Sequence, residues 1–89
     1  MEINVHFTTQ LKAALGRGSQ SISLADGATV QDAMDTLKEQ FPEEFRQLLF
    51  SNGQVLPSIL LSINDQQVDL DSPLSEGDTL TLLSAISGG

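Results

Sequence analysis

Hydrophobic and polar residues alternate near the start of the chain and again in its last third, which predicts β-strands in both regions. Over residues 2–8, Ile3, Val5 and Phe7 fall on one face, and Glu2, Asn4, His6 and Thr8 fall on the other. This period of two is typical of a strand that is buried on one side. The same pattern recurs over residues 20–24, 58–64, 67–70 and 79–84.

The later strands are predicted to point their branched and aliphatic side chains toward a core. The inward positions are Ile22, Leu24, Ile59, Leu61, Ile63, Val68, Leu70, Leu80 and Leu82. On the outward face, two large apolar side chains break the polar pattern, and they are Leu60 and Leu83.

One long helix is predicted to begin after Thr29. Thr29 is a favourable N-cap, and Asp32 lies three positions later, where a capping box places an acidic residue. Pro42 is expected to end the helix. The apolar positions recur at helical spacing and form a single stripe, which consists of Val30, Ala33, Met34, Leu37 and Phe41. Residues Asp32, Asp35 and Glu39 are expected to face solvent.

A shorter helical segment, Gln10 to Leu15, is predicted to place Leu11, Ala14 and Leu15 on one side and to end at Gly16. Turns are predicted at Asp26-Gly27, at Asn52-Gly53 and over residues 64–66. The predicted order is strand, short helix, strand, long helix and three strands. It favours an α+β fold in which a largely antiparallel sheet packs on one main helix. Residues 1–84 would form this one domain, and residues 85–89 a flexible tail.

Composition narrows the classes of function. The chain of 89 residues has 12 acidic and 4 basic side chains, a net charge of −8, which makes nucleic acid an unlikely partner. It has no cysteine, so thiolate chemistry is excluded. His6 is the single histidine, and we expect a surface residue rather than a metal ligand. The sequence shows neither a signal peptide nor an apolar run long enough to span a membrane, so a cytoplasmic protein is expected.

The sequence ends on Gly88-Gly89, after the segment Ser84-Ala85-Ile86-Ser87. Glycine has no Cβ, so its backbone can approach another surface closely. A pair of glycines here can therefore carry a carboxylate through a narrow channel of another protein. The alternative is a frayed terminus without a function.

These features together resemble the ubiquitin-like sulfur carriers with the β-grasp fold, the family that includes the small subunit of molybdopterin synthase and the thiamine sulfur carrier. The resemblance rests on Ile63-Asn64, Pro73-Leu74, Gly77-Asp78 and Gly88-Gly89, and it fits the molybdopterin type best. Members of that type usually carry aromatic residues and a proline pair before the tail, where this chain has Leu82 to Ala85. Carriers for cysteine, thiamine, siderophore or thionucleoside pathways therefore stay open.

The resemblance implies a carrier that acts as a cosubstrate and binds no cofactor itself. An E1-like enzyme would use ATP and magnesium to adenylate the carboxylate of Gly89, and a desulfurase or rhodanese would supply sulfur for a thiocarboxylate. Gly88, Ser87 and Ile86 would lie in the channel of the partner, which would be a synthase large subunit or its equivalent. A protein modifier joined through Gly89 to target lysines, and a plain interaction domain, are the alternatives.

The outward residues of the predicted sheet are candidates for docking. Leu83 and Leu60 would be exposed near the root of the tail, and His6 and Thr8 would lie on the same face. Isolated surface leucines without a partner are the alternative interpretation.

Overall fold

The computed structural model describes residues 1–84. Its helices are α1 (Thr9–Leu15), α2 (Val30–Gln40) and α3 (Glu43–Arg46). Its strands are β1 (Glu2–Phe7), β2 (Ser19–Ser23), β3 (Phe50–Ser51), β4 (Gln54–Val55), β5 (Ile59–Ile63), β6 (Gln66–Val68) and β7 (Thr79–Ser84).

Five of these strands form one mixed sheet in the order β2-β1-β7-β5-β6. The last strand, β7, lies in the middle, parallel to β1 and antiparallel to β5. Strands β1 and β2 pair antiparallel and are connected through α1. The inner face of the sheet carries the alternating apolar residues, and Ile3, Val5, Phe7, Leu80 and Leu82 are almost completely buried. The predicted α+β fold is confirmed.

Helix α2 covers the inner face of the sheet. All five residues of its predicted apolar stripe are buried, and the rings of Phe7 and Phe41 lie 5.9 Å apart between centroids. The capping box forms as predicted: the Thr29 hydroxyl accepts from the N–H of Asp32, and an Asp32 carboxylate oxygen accepts from the N–H of Thr29 at 2.9 Å. Because the helices pack on one side, the opposite face of the sheet is left open for contacts.

Some sequence predictions are wrong in detail. Ala14 is exposed, whereas Leu11 is buried and Leu15 half-buried, because α1 is too short to bury a wide stripe. Strand β6 begins one residue earlier than predicted, and Leu70 lies in the turn after it, although its side chain still packs against the core. Asp35 is half-buried rather than fully solvent-facing, and it accepts a hydrogen bond from Gln31.

A small hairpin formed by β3 and β4 was not predicted from the sequence. Asn52 and Gly53 join its strands with φ values of 53° and 79°, the left-handed geometry of a tight hairpin turn. Its strands have two residues each, too few for an alternating pattern to stand out. Among residues 1–84, we find no helix with the length and apolar character that crossing a membrane requires.

The capping box predicts a measurable contribution to stability. Thr29→Ala removes the side-chain oxygen that satisfies the Asp32 N–H, so the free energy of unfolding should fall by about 1 kcal/mol. Thr36→Ala is the control, since its hydroxyl bonds to the Asp32 carbonyl inside the helix and caps nothing. Urea denaturation compares the two variants, and equal stabilities would contradict the role of the cap.

Candidate docking face

Strand β7 determines where residues 85–89 begin. It is hydrogen-bonded to a strand on each side, and the side chains of its residues Leu80 and Leu82 are fully buried in the core. Ser84, the last residue of the strand, lies opposite Ile59 of β5. The remaining residues, including Ile86, Ser87, Gly88 and Gly89, lie outside the described residues, and their roles stay predictions.

The open face of the sheet carries two exposed leucines beside the end of β7. Leu60 and Leu83 are cross-strand partners on β5 and β7, and they are 39% and 38% exposed. They are the exposed large hydrophobic residues of the described chain. The sequence predicted both as outward-facing. Because they are direct neighbours, they form one small apolar patch rather than two isolated surface leucines.

A shallow depression of about 250 Å³ surrounds this pair. It is lined by the leucines Leu60, Leu61 and Leu83 and by the polar residues Thr8, Ser62, Asp65, Gln67 and Thr81. Asp65 is the charged residue of this lining. The depression therefore combines an apolar centre with a polar rim, which is the usual anatomy of a protein–protein contact.

Thr8, the residue before α1, is hydrogen-bonded to β7 beside this face. Its hydroxyl donates to the Leu82 carbonyl at 2.9 Å, and its N–H donates to the same oxygen at 3.3 Å. These bonds extend the pairing of β1 and β7 to the end of the depression. The Thr8 side chain is thereby fixed in one orientation beside Leu83.

His6 lies on the same open face, exposed, with Thr81 as its neighbour on β7. It does not line the depression. The structure thus brings three of the four predicted docking residues together and places His6 beside them. Thr81 and Gln67 also line the depression and were not among the predicted docking residues. The alternation that placed Leu83 outward could have identified Thr81, two positions before it.

The described residues offer little for other chemistry. Among residues 1–84, histidine and carboxylate side chains form no group of three or more that could hold a metal ion. The depression is open and shallow, so it suits a protein surface better than a small cofactor, which needs an enclosed cleft.

A known protein family and one curated relative match most of this chain. The model of the ThiS family matches residues 5–89. Ubiquitin-related modifier 1 of Laccaria bicolor is 33% identical over 66 residues, which cover 70% of this chain and 54% of the fungal protein. The chain therefore spans about half the length of this curated relative.

Solved structures show the same fold. SAMP1 from Haloferax volcanii matches with a TM-score of 0.89 at 24% identity, and the match covers both chains completely. A chain of the BexX/CysO complex from Amycolatopsis orientalis matches with a TM-score of 0.69 at 30% identity, over 98% of this chain and 99% of that one.

Leu82 and Leu83 are adjacent on β7 but differ in burial, so replacing each with alanine should change stability by different amounts. Leu82→Ala empties a fully buried site and should lower the free energy of unfolding by about 2–5 kcal/mol. Leu83→Ala removes a partly exposed side chain and should cost less than about 1 kcal/mol. Thermal or urea unfolding measures both. Similar losses in the two variants would mean that Leu83 is part of the core and is unavailable for docking.

Proposed function

The chain belongs to the ThiS family of ubiquitin-like sulfur carriers, and from this we propose that it carries sulfur as a thiocarboxylate on Gly89. In this proposal the protein is a cosubstrate: another enzyme activates Gly89, and a synthase receives the sulfur. The observation that carries the proposal is that the family model extends through Gly88 and Gly89.

The described fold supports this role through position rather than through reactive side chains. Ser84 ends a strand in the middle of the sheet, so the residues that follow it start from a rigid base. The patch of Leu60 and Leu83 lies beside that base. A partner that docks on the patch would bring its own active site to a fixed distance from Ser84, which is the positioning that group transfer requires.

The proposed chemistry begins with activation of the Gly89 carboxylate, which is unreactive toward sulfur nucleophiles at neutral pH. An E1-like enzyme would bind ATP with magnesium. The carboxylate would attack the α-phosphate of this ATP, which forms an acyl-adenylate and releases pyrophosphate. Sulfide would displace AMP and leave the thiocarboxylate. A persulfide from a desulfurase or rhodanese would give an acyl disulfide instead, and a thiol would then cleave its S–S bond to release the same product.

Delivery of the sulfur would use the thiocarboxylate as a nucleophile. In a synthase, its sulfur would attack an activated carbon of a small molecule, and hydrolysis of the resulting thioester would return the Gly89 carboxylate. The molybdopterin-type motifs Ile63-Asn64, Pro73-Leu74 and Gly77-Asp78 favour molybdopterin synthesis as the pathway that receives the sulfur. Gly88 and Gly89, without side chains, would suit a narrow channel, and Ser87 and Ile86 would bridge it to the sheet.

Modification of proteins is the second candidate. The identity of 33% to a protein named Ubiquitin-related modifier 1 favours it. The activated Gly89 would then form an isopeptide bond with a lysine of a target protein. Both functions share the adenylation step, and they differ in whether the acyl group is captured by sulfur or by an amine.

The mass of the protein tests the principal proposal. After co-expression with its activating enzyme and sulfur donor, intact mass spectrometry should show a species in which one oxygen of Gly89 is replaced by sulfur. A chain that ends at Ser87 is the matched control and should show no such species. A full chain that stays a carboxylate with the complete activating system would contradict sulfur carriage, and conjugates of higher mass that require Gly88-Gly89 would support the modifier.

The docking patch predicts a loss of partner binding without a loss of folding. Leu83→Asp and Leu60→Asp place a charge at the apolar centre of the depression, and each should weaken binding of the synthase or activating enzyme about tenfold or more. Ser51→Asp adds the same charge on β3, outside this face, and should bind normally. Titration calorimetry measures the three affinities. Unchanged binding of both leucine variants would show that the patch is not the contact.

A further inference from the structure

The two edges of the sheet are protected very differently. Strand β6 forms one edge with three residues, and the acidic Asp65 and Asp69 lie directly before and after it. Short edges with charged neighbours are a common defence against pairing with another strand. Strand β2 forms the other edge with five residues, Ser19–Ser23, and contains no charge, proline or glycine. The β2 edge therefore lacks the usual protection.

The direction of the free backbone groups on β2 follows from the hydrogen bonds of β1. Phe7 donates to the Gly18 carbonyl at 2.9 Å, and Leu24 donates to the Met1 carbonyl at 2.8 Å, so alternate residues of the two strands bond to each other. Gln20 and Ile22 therefore form hydrogen-bonded pairs of the antiparallel ladder with Val5 and Ile3.

Three serines of β2 occupy the non-hydrogen-bonded pairs of this ladder, so their backbone groups point away from the sheet at its edge. Since bonding alternates along an antiparallel pair, the N–H and C=O groups of Ser19, Ser21 and Ser23 point away from β1. In the described part of the chain, these six groups have no hydrogen-bond partner. The three side chains are also exposed. The edge is thus a regular row of donors and acceptors that small neutral side chains leave accessible.

We propose that β2 is the site at which a second copy of this chain pairs, antiparallel and with its two-fold axis at Ser21. In this register Ser21 faces Ser21 of the second copy, and Ser19 faces Ser23 of the second copy on each side of the axis. Each of these three pairs exchanges two hydrogen bonds, so every free group on the edge finds a partner. A shift by two residues in either direction would lose one pair.

Charge at the ends of β2 favours a second copy as the occupant. In the proposed register, Arg17 lies opposite residue 25 of the second copy and therefore next to its Asp26. The side chain of Asp26 is fully exposed, and its present charged neighbour is the N-terminal ammonium at 3.9 Å. The Arg17 guanidinium bonds to Gln20 through one N–H and keeps others free. The two-fold axis repeats this pair of opposite charges at both ends of the contact.

The dimer would leave the candidate docking face accessible. A two-fold axis between antiparallel edge strands is perpendicular to the sheet, so the open faces of both copies would lie on the same side of one continuous sheet. Strand β7 lies two strands from β2 in the sheet order, so Leu60 and Leu83 would stay outside the contact. The contact is small, and we expect a weak dimer, with a dissociation constant on the order of 0.1–1 mM.

Amide hydrogen exchange measured by NMR tests this pairing at residue level. Raising the protein concentration should slow exchange at Ser19, Ser21 and Ser23, because their N–H groups become bonded only in the dimer. Exchange at Gln20 and Ile22 is the internal control and should change little. Sedimentation in about 0.15 M salt, which screens the net charges of −8, should show the same association. A chain that stays monomeric at millimolar concentration would overturn the proposal.

Two sets of variants identify the edge and the occupant. Ser21→Lys brings two like charges together at the two-fold axis and should weaken the dimer tenfold or more. Gln66→Lys makes the same charge change at the β6 edge, outside the docking depression, and should leave association intact. Arg17→Asp or Asp26→Arg alone should weaken the dimer, and the double variant should restore it. A dimer that tolerates Ser21→Lys, or a double variant weaker than both single variants, would contradict this register.

Discussion

Both the buried core and the exposed leucine patch depend on the position of the last strand, β7, in the middle of the sheet. Strand β7 pairs with β1 on one side and with β5 on the other, and the burial of Leu80 and Leu82 fixes which of its faces points inward. Because side chains alternate along a strand, the same burial forces Leu83 outward. Core packing and the exposed patch are therefore two consequences of one register, and a slip of one residue would exchange them.

The sequence predicted most of this arrangement because the long elements follow strict periods. The stripe from Val30 to Phe41 and the alternation in β1, β5 and β7 left little choice of face. Pairing between distant strands, such as the parallel contact of β1 with β7, is not encoded in local pattern. The sequence placed Leu60 and Leu83 on one outward face near the root of the tail, and the structure adds that they are direct cross-strand partners.

Short elements were harder to predict from the sequence. The hairpin of β3 and β4 has strands of two residues, so its turn at Asn52-Gly53 was recognised while its strands were not. Ala14 was grouped with Leu11 and Leu15 on one side of α1, yet its side chain is exposed, since a small alanine packs at the edge of an apolar stripe as readily as inside it. The lining residues Gln67 and Thr81 are ordinary polar residues, and their place at the depression depends on which strands become neighbours.

The central claim is that this sheet presents the carboxylate of Gly89 to the nucleotide chemistry of another protein. ATP–pyrophosphate exchange by the activating enzyme measures that step directly, since it reports formation of the acyl-adenylate before sulfur or lysine enters. The account predicts exchange with the full chain and none with a chain that ends at Ser87. Equal exchange with both chains would contradict it. So would the absence of exchange with both chains when the same enzyme preparation adenylates a different carrier protein.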